Sequence, residues 1–201
     1  SFEVREMFLD ALYNYLDENI KNRDLDFVYG SLSESEDKSD VKFIPLDGQQ
    51  RLTTLFLLHW YLANKDGELD FFKEKLQKNE KSKFTYETRT SSREFCDALL
   101  LNEVELSQLL PPDDNQKNSL SKTIKDSAWY FLSWGNDPTI NSMLVMLDAI
   151  HYKFNNATNF FERLISPNNP VITFQFLNLK EFKLTDDLYI KMNARGKSLT
   201  D

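Results

Sequence analysis

The chain has one cysteine, Cys96, in 201 residues. No internal disulfide can form, which fits a reducing compartment. Cys96 falls in an apolar helical pattern and reads as a buried core thiol. Histidine is almost as scarce. His59 and His151 lie far apart, each in an apolar helical segment. No His/Cys/Asp spacing suggests a zinc site, and no Ser-His-Asp case can be made. Five glycines are too few and too scattered for a Walker-type phosphate loop. Positive charge is also short: Lys plus Arg is 24 against 32 for Asp plus Glu, a net charge of −8. A domain whose main task is gripping a phosphate backbone shows the opposite balance. Any nucleic-acid contact must therefore come from a local basic patch or from another part of the protein. The longest apolar run, Leu52–Ala63, is too short for a membrane span, and no signal-peptide pattern appears.

What is present is a globular composition, 41% apolar, with 16 phenylalanines to build a core on large rings. The length suits one domain, with room for an embedded subdomain. Residues 2–20 carry Val4, Met7, Phe8, Ala11, Leu12, Tyr15 and Leu16 at 3.6-residue spacing, which predicts a helix. "DFVYGSL" (26–32) and "VKFIPL" (41–46) predict two short strands around a charged loop at 33–40. Helices are expected from residue 48 to about Asn64 and over 67–80, 91–100, 119–134, 138–154, 157–165 and 185–196. Ser91 and Glu94 have capping-box spacing, and Asp137-Pro138 reads as a helix cap followed by proline at the first helical position. "KFTYET" (83–88) and "VITFQFLNL" (171–179) alternate as strands, the second returning to the sheet. The class is α+β, a small sheet embedded in many helices. The helical pattern already running at the first residues, and "GKSLTD" opening another element at the end, read as a piece of a larger cytoplasmic protein.

The joint "DGQQR" (47–51), between the second strand and an apolar helix, carries chemistry. Asp47 with Gln50 three later has capping-box spacing, and Gly48 permits a tight turn. Those three need no ligand. Arg51 is different, because a cation in the first turn of a helix opposes the dipole. It becomes favourable where an anion binds at that helix terminus, and arginine suits bidentate phosphate contact. Gln49 adds an amide able to orient water or ligand. The capped joint and the phosphate site both stand as readings. "MNARGKSLT" is the second candidate, with Arg195 at a helix C-terminus, Gly196 as its cap and Thr200 starting the next element; on its own it reads as structural. Arg89 and Arg93 are within reach of a phosphate, but also read as solvated arginines of a capped surface helix. The Asp186–Asp187 pair is an ordinary first-turn dipole effect.

"LDGQQRLTTLFLL", with "FVYGSL" upstream and "YIKMNARGKSLTD" downstream, resembles the N-terminal domain of GmrSD-type, modification-dependent restriction endonucleases, a prokaryotic anti-phage family. The motif order matches across nearly the whole chain. The resemblance implies a core like the ParB/sulfiredoxin fold, with a strand-to-helix turn that binds nucleotide phosphates. It implies one DGQQR-type domain over 1–201, with a ParB-like core over 1–88. Helices, the returning strand and the NARG motif occupy 89–201. It implies NTP and Mg²⁺ as cofactors, NTP hydrolysis coupled to sensing modified phage DNA, and cleavage by a C-terminal HNH-type nuclease domain or partner subunit. No membrane contact is implied. Asp47, Gly48, Gln49, Gln50 and Arg51 carry over as the nucleotide site, with Asp47 a metal contact through water. Asn193, Arg195 and Gly196 carry over as a second motif folding back beside it. The family's usual "IP-x-x-QR"-like strand before the first helix is absent from these residues, as is any HNH-like sequence. Two rivals to the NTP-using sensor are a ParB-like unit that itself cuts DNA, and an inactive scaffold that binds DNA or a partner.

Overall fold

A computed structural model of the chain describes residues 2–34, 40–109 and 119–180. The chain divides into two compact units: residues 1–23 with 52–172, and residues 24–51 with 173–201.

The first unit is helical. It contains α1 (Phe2–Glu18), α2 (Gln49–Asp66) from Leu52 onward, α3 (Leu69–Leu76), α4 (Thr90–Leu101), α5 (Leu120–Lys125), α6 (Pro138–Phe154) and α7 (Phe160–Ile165). The apolar stripe expected on α1 is buried at Leu9, Leu12 and Leu16, and α1 packs on α6 and α7. Arg163 on α7 donates to the carbonyl oxygens of Leu16 and Asp17, closing the C-terminus of α1 where a cation is favoured. The apolar run of α2 is core on nearly all sides: Leu57, Leu58, Trp60, Tyr61 and Leu62 are each at most 1% exposed. A helix apolar all round belongs in a core or a membrane, and among the described residues no helix is long and apolar enough to cross a membrane. Trp60 Nε1 donates to Leu99 O of α4 at 2.7 Å, so the buried indole N–H is satisfied. Cys96 is fully buried, and burial pushes its thiol pKa up, as suits a core thiol.

Four local expectations are corrected in this unit. Residues 83–88 form no strand. The pairing lies just before them, between β3 (Gln77–Lys78) and β4 (Lys81–Ser82), joined by Asn79 and Glu80, both at positive φ as a tight hairpin turn requires. The alternation at 83–88 has another cause. Phe84 stacks on Phe56 of α2 with ring centroids 4.5 Å apart, and the Tyr86 hydroxyl lies 3.3 Å from Thr53 Oγ1. The helix expected over 119–134 stops at Lys125, and a 3₁₀ turn covers Leu132–Asn136. Tyr130 and Trp134 converge edge-on upon Phe95 and each other, an arrangement that closes a cluster rather than lining one helical face. The Ser91–Glu94 capping box also does not form. α4 begins at Thr90, which places Ser91 inside the helix, and the hydroxyls of Ser91 and Ser92 donate instead to Asp137 Oδ2. The same carboxylate caps α6 through Oδ1, accepting from the backbone of Thr139 and Ile140 as the Asp-Pro pair predicted. The last helix of the unit, expected from 157, starts at Phe160.

The second unit holds the sheet, in strand order β2-β1-β5, from β1 (Arg23–Glu34), β2 (Val41–Pro45) and β5 (Ile172–Asn178). β1 and β2 pair antiparallel from Gly30↔Pro45 to Glu34↔Val41. Gly30 is required, because a Cβ there would lie 2.4 Å from Ile44 O and from the Phe43 ring. β5 returns to the sheet alongside β1 and runs parallel to it: Arg23 N bonds Val171 O, and farther along Leu179 N bonds Gly30 O. Phe43 of β2 and Phe176 of β5 meet edge to face at 4.6 Å. The result is an α+β chain with a small mixed sheet. Residues 185–196, including the expected last helix, lie outside the described residues.

Candidate functional site: the turn between β2 and α2

The turn is built from its backbone. Leu46 N and Asp47 N both donate to Tyr29 O of β1, at 2.8 and 3.2 Å, which ends β2 and turns the chain. Gly48 follows at φ +80, a left-handed conformation that L side chains rarely adopt. It is buried, and a Cβ would sit 3.3 Å from Arg51 Nη2 and from both methyls of Val28. Glycine is thus needed for conformation and for space. α2 begins at Gln49, one residue later than the spacing suggested, so Gly48 rather than Asp47 occupies the position before the first helical residue. Gln49 Nε2 donates back to Pro45 O at 3.0 Å and clamps the turn. Asp47, Gln49 and Gln50 are exposed.

Arg51 sits in the first turn of α2 and is half buried. Its Nη1 donates to Leu25 O at 2.9 Å and its Nη2 to Phe27 O at 2.6 Å. Both acceptors are neutral carbonyls of β1. Among the described residues no carboxylate pairs with Arg51. Two of its five N–H groups are accounted for in this way. A full positive charge is therefore held at the positive end of an 18-residue helix, with carbonyl dipoles as its hydrogen-bond partners among the described residues.

The structure brings Asp47, Gly48, Gln49, Gln50 and Arg51 together. Asn193, Arg195 and Gly196 lie outside the described residues. Arg89 and Arg93 are engaged within the helical unit, Arg89 with Thr139 Oγ1 and Arg93 with Glu87 O at 3.3 Å. The two histidines hold structural positions. His59 Nδ1 donates to Leu55 O at 2.6 Å, and His151 Nδ1 lies 2.9 Å from the Tyr61 hydroxyl.

Sequence reasoning missed the β1 side of the site. The strand begins at Arg23, not at 26, and the carbonyls of Leu25 and Phe27 are what hold Arg51. Asp26, between them, has φ +77. Its N–H is accepted by Asp24 Oδ1 at 2.8 Å, and its own Oδ1 accepts from Phe27 N at 2.9 Å. Aspartates two apart are an Asx-turn signal, legible as "RDLDF".

Among the described residues no group of three or more His, Cys, Asp or Glu is arranged to hold a metal. A divalent ion at this turn would take most of its ligands from phosphate and water, with at most one protein carboxylate, and that is the usual manner of Mg²⁺. The exposed Asp47 fits such a role.

No curated protein and no solved structure matches the chain. The family model of the GmrSD restriction endonuclease N-terminal domain matches residues 3–201. With the DGQQR joint folded as a strand-to-helix turn and the family match running the length of the chain, this protein belongs to the GmrSD restriction endonuclease N-terminal domain family.

Proposed function

We propose that the β2–α2 turn binds the phosphates of a nucleoside triphosphate, and that the chain is the NTP-binding and hydrolysing sensor unit of a modification-dependent restriction protein. The observation that carries this is the charge of Arg51. A guanidinium fixed by two neutral carbonyls beside a helix N-terminus has no carboxylate partner among the described residues, and a phosphate would supply a counter-anion. Family membership supports the restriction setting. The reading extends to a sheet of ParB/sulfiredoxin type, to DNA as the sensed partner, and to cleavage by a C-terminal nuclease domain or partner subunit.

The residues divide the work by chemistry. The first N–H groups of α2 and the guanidinium of Arg51 would hold phosphate oxygens. Asp47 would reach Mg²⁺ through water, and the ion would neutralise phosphate charge. Gln49, clamped through its amide nitrogen to Pro45 O, stands at the turn as one candidate to position the attacking water. Gln50 is the second candidate for that task, and Arg51 would stabilise negative charge on the transferred phosphoryl group. The second reading, an inactive scaffold, draws on the same geometry, since Arg51 also ties α2 to β1.

Calorimetric titration with each of the four common NTPs, with and without Mg²⁺, separates the two. Saturable binding of at least one triphosphate, and weaker binding of the matching nucleoside, supports the phosphate site. Equal heats for nucleoside and triphosphate, or none for either, would leave the scaffold.

A further inference from the structure

We propose that Asp26 is a positioning residue of this site: its left-handed backbone, braced by Asp24, presents the carbonyls of Leu25 and Phe27 to the guanidinium of Arg51. The proposal rests on the reading of Arg51 as the phosphate contact, and it adds how that arginine is held.

Six non-glycine residues have positive φ among the described residues: Asn19, Asn22, Asp26, Asn79, Glu80 and Asn159. Five lie at element ends or in the β3–β4 turn. Asp26 alone lies inside a strand. A strand has no use for such a residue in its ladder, and the conformation is unfavourable for anything but glycine, less so for Asp and Asn. Strain of this kind persists only where its surroundings hold it, and it gathers at functional sites.

The surroundings are specific. Asp24 Oδ1 accepts the N–H of Asp26, and Asp26 Oδ1 accepts the next N–H, that of Phe27. Gln175 of β5 donates to the other oxygen of Asp24 at 2.7 Å, so the brace is itself held by the neighbouring strand. The parallel pairing of β1 with β5 is irregular somewhere between Arg23 and Gly30, the stretch that contains Asp26. In a regular parallel ladder the bond from Arg23 N to Val171 O sets Arg23 against Ile172, and the bond from Leu179 N to Gly30 O sets Gly30 against Asn178. β1 advances seven positions between these points and β5 six, so β1 carries one extra residue. Bulges re-aim neighbouring groups, and the groups flanking Asp26 are the two acceptors of Arg51. The side chain of Asp26 is exposed and makes no ion pair with Arg51. Its contribution is to the backbone.

The test compares Asp26→Gly, Asp26→Asn and Asp26→Val. Glycine adopts positive φ freely, asparagine tolerates it and keeps the acceptor, and valine opposes it. Two readouts are needed: triphosphate affinity by calorimetry, and the Arg51 guanidinium by ¹⁵N NMR, where a two-point hold slows rotation of the Nη groups and keeps their signals resolved. Asp26→Gly and Asp26→Asn should keep both within about threefold of the parent. Asp26→Val should lose roughly tenfold or more in affinity, the size of one lost hydrogen bond, and its Nη signals should merge. Asp26→Ala serves in place of valine if that variant does not fold. Resolved Nη signals in both the valine and alanine variants would overturn the proposal. So would equal losses in the glycine and valine variants, which would assign the effect to the carboxylate. If the parent binds no triphosphate, the reading of the site fails, and the NMR comparison still decides whether Asp26 positions Arg51.

Discussion

Arg51 Nη2 lies 2.6 Å from the carbonyl oxygen of Phe27, and its Nη1 lies 2.9 Å from that of Leu25. One side chain thus joins the first turn of α2 to β1 and carries to the helix N-terminus a charge that no carboxylate pairs among the described residues. Judged by the helix dipole alone, removing Arg51 would scarcely affect the fold, or would stabilise it slightly. The two carbonyl contacts change the balance. Arg51→Ala should destabilise the folded chain by about 1–3 kcal/mol, because charged hydrogen bonds are lost. Arg51→Lys keeps the charge but has no fork to span two carbonyls, so it should recover only part of the loss. Thermal melts of the three proteins measure this, and a Lys variant as stable as the parent would contradict it.

Gly48 is held at φ +80 with Val28 and Arg51 at 3.3 Å from where a Cβ would stand. Gly48→Ala should cost roughly 1–2 kcal/mol for the left-handed backbone alone, with a further loss if Arg51 is pushed off its carbonyls. Urea unfolding should show a lowered midpoint with an unchanged slope.

Asp137 ties two helices together by accepting from Ser91, Ser92 and the first turn of α6. Burial by itself would raise its pKa, but the serine hydroxyls and the two backbone N–H groups outweigh this and hold it below the ordinary carboxylate value. A carboxyl with a depressed folded pKa adds stability above its unfolded pKa of about 3.9 and loses it as pH falls through the lower folded value. Asp137→Ala should cost about 0.5–2 kcal/mol at neutral pH, the range for a lost cap, and its melting temperature should fall less than the parent's on acidification. Parallel pH profiles would refute the assignment.

His151 is buried, with Nδ1 against the Tyr61 hydroxyl and Nε2 without a hydrogen-bond partner among the described residues. Burial lowers its pKa, nearby Lys65 lowers it further, and Asp148 partly offsets this. Burial lowers that of His59 also. The unfolded chain therefore binds protons below about pH 6.5 that the folded chain refuses, so stability should decline as pH falls from about 6.5 toward the lowered folded values. Tyr61→Phe leaves a second imidazole nitrogen without its partner and should cost about 1–3 kcal/mol. A melt series from pH 8 to pH 5 tests both points, and a flat profile for the parent would contradict the first.

The division between what was legible in the sequence and what was not follows the range of the interactions. α1, α2, α6, β2 and the Asp137-Pro138 cap were readable because each is set by local period or local capping. The strand expected at 83–88 failed because its alternation records packing of Phe84 and Tyr86 on α2, which pattern alone does not distinguish from pairing. The Ser91 cap failed because a carboxylate 46 residues away takes the hydroxyl. At the site, the motif located Arg51, but its acceptors are backbone carbonyls 24 and 26 residues upstream, and main-chain oxygens leave no mark in side-chain identity.

The central claim, that the charge of Arg51 at the start of α2 serves a phosphate, is tested most directly by supplying an anion from the chain itself. Gln50→Glu places a carboxylate in the first helical turn, beside Arg51. Calorimetric titration of a triphosphate with Mg²⁺ into the parent and this variant is the measurement, with thermal melts of both apo proteins as its control. The account predicts that the variant is more stable without ligand, by about 0.3–1 kcal/mol for an acid at a helix N-terminus, and that it binds the triphosphate at least about tenfold more weakly, a loss of 1.4 kcal/mol or more. Unchanged affinity in the variant, or no binding by the parent, would contradict it.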